Sequence, residues 1–247
     1  MSRYQHTFQR SIEHPESFWA EQAKRIPWYT PPKTVLSYDE QSPGKEHARW
    51  FSDGEMNLSY AALDYHVENG RGDQAAIFWD SPAAQAKLTL SYREMRDKVA
   101  YFAGALAQLG VTKGDRVVIY MPMIPEALVA MYACARLGAI HSVVFGGFAP
   151  HELAARIEDA EPKVVVAASC GIELGKVLPY KPMVDQAVEL SAHKPAACVV
   201  YQREAHRAEL REGDYDWEAL VAKAPFAECV PVQGNDPLYI LNTSGTT

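Results

Sequence analysis

The chain has 247 residues, 48% apolar and 22% charged, which is enough for one or two domains with a real core and is not the balance of a disordered chain. Its net charge of −7, from 24 basic and 31 acidic residues, argues against a nucleic-acid binder but not against phosphate ligands, which need only a few local donors. The 4 cysteines (Cys134, Cys170, Cys198 and Cys229) form no CxxC pair and the histidines no HExxH motif, so zinc, other metals and a disulfide framework are not indicated.

In chain order, the N-terminus lacks the apolar run of a signal peptide, and reduced cysteines in a cytoplasmic protein are the expectation. Residues 1–69 read as an irregular extension wrapping the main domain, with a helix from Pro15 to Arg25 and an extended run from Pro27 to Pro32. Trp19, Trp28 and Trp50 suit a segment pasted over a core. From Gln74 the pattern becomes regular. Ala75–Trp79 and Lys87–Leu90 read as strands, and Ser91-Tyr92-Arg93-Glu94 is a capping box opening a helix. Tyr92, Met95, Val99, Phe102, Leu106 and Leu109 share one face of that helix, and Gly110 ends it.

Strand Arg116–Tyr120, helix Pro125–Leu137, strand Ile140–Phe145, helix Pro150–Ala160 and strand Lys163–Ala168 follow. The apolar stretch Val117–Ala135 contains Pro122, Pro125 and Glu126 and is followed by Arg136, which is not how a membrane span reads. A helix over Met183–Ala192, a strand over Ala197–Tyr201, a solvated connection over Glu204–Asp216, a helix over Asp216–Ala224 and a strand over Leu238–Leu241 complete the chain. Single histidines such as His141 and His206 read as structural or surface residues. The alternation predicts an α/β fold over residues 70–247, with a largely parallel sheet flanked by helices.

The most informative feature is the last strand followed by Asn242-Thr243-Ser244-Gly245-Thr246-Thr247. Hydroxyls and backbone N–H groups beyond the carboxyl end of a strand can wrap phosphate oxygens, and glycine permits close approach. No Walker A sequence is present, and Gly70-Arg71-Gly72-Asp73-Gln74-Ala75 precedes a strand, so it is not a dinucleotide fingerprint. Tyr120–Glu126 reads as a rigid turn through two prolines, and Phe145-Gly146-Gly147-Phe148 as a close approach to another element or to a ligand. No GxSxG motif supports a serine hydrolase.

NTSGTT resembles the start of the phosphate-loop signature of the adenylate-forming superfamily. VVIYMPMIPEALVAMYACARLGAIHSVVFGGFAPHELAARIEDAEPKVVV narrows the resemblance to the AMP-forming acetyl-CoA and propionyl-CoA synthetases, and ASCGIELGKVLPYKPMVDQAVELSAHKP is more similar to the propionyl branch. The resemblance implies the N-terminal portion of a ligase that activates a short carboxylate, propionate first and acetate next, to acyl-AMP and then acyl-CoA. ATP with Mg²⁺ and CoA are the implied substrates, with no tightly bound cofactor in this chain. Thr243, Ser244, Gly245, Thr246 and Thr247 match the half of the loop that grips the β- and γ-phosphates. Glu173, Leu174, Gly175 and Lys176 match the segment touching the nucleotide end of CoA, where the acetate enzymes place two arginines against the 3′-phosphate. Lys176 can act there as a point charge, whereas Glu173 would repel phosphate and its side chain is expected to turn elsewhere; a plain surface turn is the other reading. Asn242 stands where the family usually has tyrosine. The resemblance also implies that the rest of the adenylation domain, the catalytic lysine and the magnesium-binding acid lie outside these residues. The 247 residues alone are therefore expected to be inactive, with no catalytic or metal residue of their own. A non-catalytic module binding CoA or another protein chain is the alternative; neither nucleic acid nor membrane is an expected partner.

Overall fold

A computed structural model of the chain describes residues 2–38, 48–173 and 175–243. Ser2 and Gln5 cap one another's backbone to open α1 (Arg3–Glu13), and Pro15 opens α2 (Pro15–Ala23). Short strands β1 (Leu36–Tyr38), β2 (Ala48–Trp50) and β3 (Glu55–Met56) follow, then π-helical turns over Tyr60–Asp64 and Val67–Arg71. The stretch expected to be irregular is therefore partly regular; the reciprocal cap at Ser2 is the local signal for α1.

An antiparallel hairpin, β4 (Ala75–Ser81) and β5 (Ala86–Ser91), leads through the Ser91–Glu94 capping box into α3 (Tyr92–Gln108). Then come β6 (Arg116–Met121), α4 (Pro125–Leu137), β7 (Ile140–Phe145), α5 (Pro150–Ala160) and β8 (Val164–Ala168). Proline at the start of α4 and left-handed Gly138 beyond its end fix its bounds where the sequence places them.

A second hairpin, β9 (Cys170–Glu173) and β10 (Lys176–Pro179), precedes α6 (Lys181–Leu190), β11 (Ala197–Tyr201), β12 (Asp214–Asp216), α7 (Trp217–Val221), β13 (Val232–Gln233) and β14 (Tyr239–Ile240). Three expectations change here. The 170–179 hairpin is a new element, the connection 204–216 ends in a strand, and α7 is shorter than residues 216–224.

The main sheet has the order β12-β11-β8-β6-β7-β14, and all its pairings are parallel. Residues 164–168 are wholly buried because β8 is central and covered on both faces. From β6 the chain steps outward through α4 to β7, then back across β6 through α5 to β8. With right-handed crossovers, that reversal puts α4 and α5 on opposite faces. The buried side chains of α3 include Met95, Val99, Phe102 and Leu106, with Phe102 stacked on Trp217 at 3.5 Å between ring centres.

The N-terminal part is tied to this core by polar side chains. Asn57 is fully buried; its amide donates to the Ala135 and Val230 carbonyls at 2.8 Å each and its oxygen accepts from the Ser59 N–H. Arg136, also wholly buried, makes a two-pronged pair with Asp64 at 2.7 and 2.9 Å and donates to the Ala227 carbonyl. Its guanidinium lies 5.2 Å from the Phe226 ring centre. Burial alone would lower the Arg136 pKa; the Asp64 carboxylate more than reverses this and leaves it raised. Among the described residues no helix is long and apolar enough to cross a membrane, and no cluster of His, Cys, Asp and Glu is arranged to hold a metal ion.

Candidate functional site

Because the sheet is parallel, the carboxyl ends of β6, β7, β8, β11 and β14 line one edge, the position where open α/β sheets hold their ligands. Thr243 lies on this edge, exposed, three residues past β14. Ser244, Gly245, Thr246 and Thr247 lie outside the described residues, as does Leu174. Glu173, Gly175 and Lys176 are on the same edge, at the tip of the β9–β10 hairpin that follows β8. Two strands, β6 and β7, separate β8 from β14 in the sheet, and the hairpin tip reaches across toward the turn after β7, where Glu173 meets Gly147.

The hairpin tip is a tight turn. Glu173 pairs with Lys176 across it, and Gly175 has a φ of 77°, a left-handed conformation that favours glycine. Lys176 is exposed and forms no ion pair among the described residues. The Glu173 carboxylate turns inward and accepts from the Tyr180 hydroxyl at 3.5 Å. Its Oε1 also lies 2.8 Å from where a side chain on Gly147 would begin.

The glycines of the 145–148 turn are there for close approach to other elements. A Cβ on Gly146 would meet the Tyr180 ring at 2.8 Å and the Met121 backbone at 2.9 Å. The Tyr120 hydroxyl accepts from the Gly147 N–H at 3.0 Å and donates to the Phe148 carbonyl at 2.8 Å. A Cβ on Gly171 would sit 2.2 Å from the Tyr180 hydroxyl. Burial first, then the nearby Glu173 carboxylate, raises the pKa of Tyr180; burial likewise raises Tyr120. Both phenols thus stay protonated donors at neutral pH.

The Pro122–Pro125 turn after β6 is held by the Trp79 indole, which donates to the Met123 carbonyl at 2.8 Å. Glu126, in the first turn of α4, has its carboxyl pKa raised by burial, and it faces Tyr201, whose hydroxyl burial and Glu126 push up to about 12.

Two clefts open on this edge. One, of about 280 Å³, is lined by Met121, Phe145, Gly146, Glu173, Tyr180 and Arg203 among others. The other, of about 580 Å³, lies between Trp79, Glu126, Ile172, Tyr201, Arg203 and Arg207. Such volumes suit small-molecule ligands. Sequence reasoning singled out the hairpin tip and the terminal loop but missed Tyr120, Tyr180, Trp79 and Arg203. Aromatic residues at strand ends beside the glycine turn were the available signal for the tyrosines. Arg203 lay next to a charged run read as solvated.

Comparison with known proteins fits this layout. Residues 51–247 match the family described as AMP-binding enzyme, and residues 4–62 the acetyl-coenzyme A synthetase N-terminus. An uncharacterized protein of Pseudomonas aeruginosa is 55% identical over 96% of this chain and 37% of its own length. The human mitochondrial acyl-CoA synthetase short-chain family member 3 is 48% identical over 100% of this chain and 36% of its own. An acetoacetyl-CoA synthetase from Streptomyces lividans superposes with a TM-score of 0.86 at 27% identity, covering 100% of this chain and 37% of that one. The chain thus spans little more than a third of the length of the relatives it matches.

Proposed function

This chain belongs to the AMP-binding enzyme family, and from that premise we propose that the protein it forms part of activates a short-chain carboxylate in two steps. A carboxylate oxygen attacks the α-phosphorus of Mg·ATP, and the bond to the bridging oxygen breaks, giving acyl-AMP and pyrophosphate. The CoA thiol, losing its proton, then attacks the acyl carbon and expels AMP, giving acyl-CoA. Propionate is the preferred acid and acetate the next. The chemical demand is to orient and neutralise a polyphosphate for in-line attack. In this reading the segment beginning at Thr243 holds the β- and γ-phosphates, through Thr243, Ser244, Gly245, Thr246 and Thr247. Glu173, Leu174, Gly175 and Lys176 adjoin the nucleotide end of CoA, with Lys176 as the phosphate-directed charge. Residues 1–69 serve as an extension over the α/β unit of residues 70–247.

The single observation that carries the reading is the family match over residues 51–247, joined at its start by the acetyl-coenzyme A synthetase N-terminus. In this reading the 247 residues alone do not complete the reaction; they correspond to 37% and 36% of the length of the two relatives named above. A cytoplasmic location belongs to the same proposal and keeps the free cysteines reduced; cell fractionation checks it. The test of the activity is carboxylate-dependent ATP–pyrophosphate exchange and CoA-dependent AMP release by the full-length protein with acetate, propionate and butyrate. One methylene is worth roughly 1–3 kcal/mol in a fitted pocket, so kcat/KM for propionate should exceed that for acetate about tenfold or more. Equal or better use of acetate refutes the propionate preference, and absence of exchange with every acid refutes the activity.

A further inference from the structure

Arg203 stands at the junction of the two clefts and lines both. It is half-buried, and its surroundings hold it in place. Its backbone N–H donates to the Ser169 hydroxyl at 2.9 Å, and one terminal guanidinium nitrogen donates to the Cys170 carbonyl at 2.9 Å. Ser169 is itself wholly buried. Its hydroxyl donates to the His206 carbonyl at 2.7 Å, and its carbonyl accepts from the Tyr180 N–H at 2.9 Å. One buried serine therefore positions both the arginine and the tyrosine that lines the smaller cleft.

What Arg203 lacks is a counter-ion. Its Nε and second terminal nitrogen have no acceptor, and it forms no ion pair, among the described residues. Four carboxylates line the two clefts and none is ion-paired with Arg203: Glu173 accepts from Tyr180, Glu126 faces Tyr201, and Glu204 and Glu218 lie on the wall of the larger cleft. Removing a guanidinium partly from water without a partner is costly, and an arginine fork is shaped for two oxygens of one anion. The arginines and lysines elsewhere in the core are treated differently. Buried Arg136 is paired with Asp64, and buried Lys181 with Asp185 and Asp214.

We infer that Arg203 is an anion-receiving residue, holding a phosphate group of a ligand seated where the two clefts meet. The geometry supplies the anion site; the choice of phosphate over other oxyanions rests on the function proposed above. With Glu173 turned inward against Tyr180, Arg203 is the one cationic side chain among the described residues lining the smaller cleft. Ligand phosphate enters from the carboxyl edge, displaces water from the free side of the guanidinium and leaves the bond to Cys170 intact.

The test titrates CoA, dephospho-CoA and inorganic pyrophosphate into the full-length wild-type protein, Arg203→Gln and Arg203→Lys. Arg203→Gln should weaken at least one probe tenfold or more and flatten its salt dependence, with partial recovery in Arg203→Lys. A loss for CoA but not dephospho-CoA assigns the 3′-phosphate. A loss for both assigns the diphosphate bridge, and a loss for pyrophosphate alone assigns nucleotide phosphates. Unchanged affinity for all three probes in a folded Arg203→Gln overturns the inference. Should that variant not fold, labelling of Arg203 in wild type by an arginine-selective dicarbonyl, read by peptide mass spectrometry, decides instead. Protection by one of the probes supports the site, and equal labelling with and without each probe overturns it. Protection in a protein that makes no acyl-CoA would keep the anion site while refuting the ligase, so the two claims fail separately.

Discussion

Replacing Asp64 by asparagine keeps the shape of a side chain but removes the carboxylate that pairs with wholly buried Arg136. In the native arrangement Arg136 is served by both Asp64 oxygens, at 2.7 and 2.9 Å, by the Ala227 carbonyl and by the Phe226 ring. After Asp64→Asn the charge remains with a carbonyl, a ring face and one neutral amide oxygen. Removing one partner of a buried pair costs about 3–5 kcal/mol, a large part of the roughly 5–15 kcal/mol that holds a domain together. For a domain of this size that corresponds to a fall in Tm of about 6–20 °C. Urea and thermal unfolding of purified wild type, Asp64→Asn, Arg136→Met and the Asp64→Leu/Arg136→Met pair supply the measurement. The double variant should recover much of the loss of either single one, because it leaves no uncompensated charge. If Asp64→Asn falls within about 1 kcal/mol of wild type, or the two single effects simply add, the pair is not the staple described above.

Stability should also depend on pH through His141, which is buried and stacked on Tyr239 at 5.8 Å. Burial lowers its pKa from 6.5 to about 4. As pH falls from about 6.5 toward 4 the unfolded chain therefore binds a proton that the folded one refuses, and stability drops by about 3 kcal/mol before levelling off. His141→Phe should remove that part of the slope in unfolding measured between these pH values, and an unchanged slope would count against it. Gly171→Ala forces a methyl onto the Tyr180 hydroxyl, where only 2.2 Å is available, and should cost about 1–3 kcal/mol of stability by overpacking; a stability equal to wild type refutes the tight approach. Lys176→Ala in the full-length protein should raise KM for CoA several-fold with little change in kcat, as loss of an exposed phosphate-directed charge does. An unchanged KM would leave the hairpin tip as a plain turn.

Where local chemistry sets an element, its bounds were readable from the sequence. Proline at the first position and glycine past the last mark α4, proline opens α5, and the Ser91–Glu94 cap starts α3. The uninterrupted apolar run of residues 164–168 announces a strand covered on both sides. The β9–β10 hairpin was hidden because Cys170-Gly171-Ile172-Glu173 shows no alternation, its glycine being demanded by Tyr180 and not by a turn. Likewise β12 is an edge strand whose residues Asp214 and Asp216 make it look like a loop. At the candidate site the hairpin tip could be named from resemblance. The arrangement of Tyr120, Tyr180 and Arg203 depends on contacts between segments far apart in the chain, and no local pattern encodes them. Arg136 shows the same limit: read along the chain it is a charge ending an apolar run, and its partner lies 72 positions earlier.

Asn57 carries a consequence for the order of assembly. Its amide bridges Ala135 and Val230, the latter 173 positions away. During synthesis the first of these acceptors emerges long before the second; at about 5–20 residues per second, the whole interval between Asn57 and Val230 takes roughly 9–35 s. For that time the N-terminal segment has its final partner missing, while the strands of residues 116–168 have already appeared and can begin to pair. The contacts of Asn57 with Ala135 and of Asp64 with Arg136 can therefore form first, and the bond to Val230 closes the N-terminal segment last.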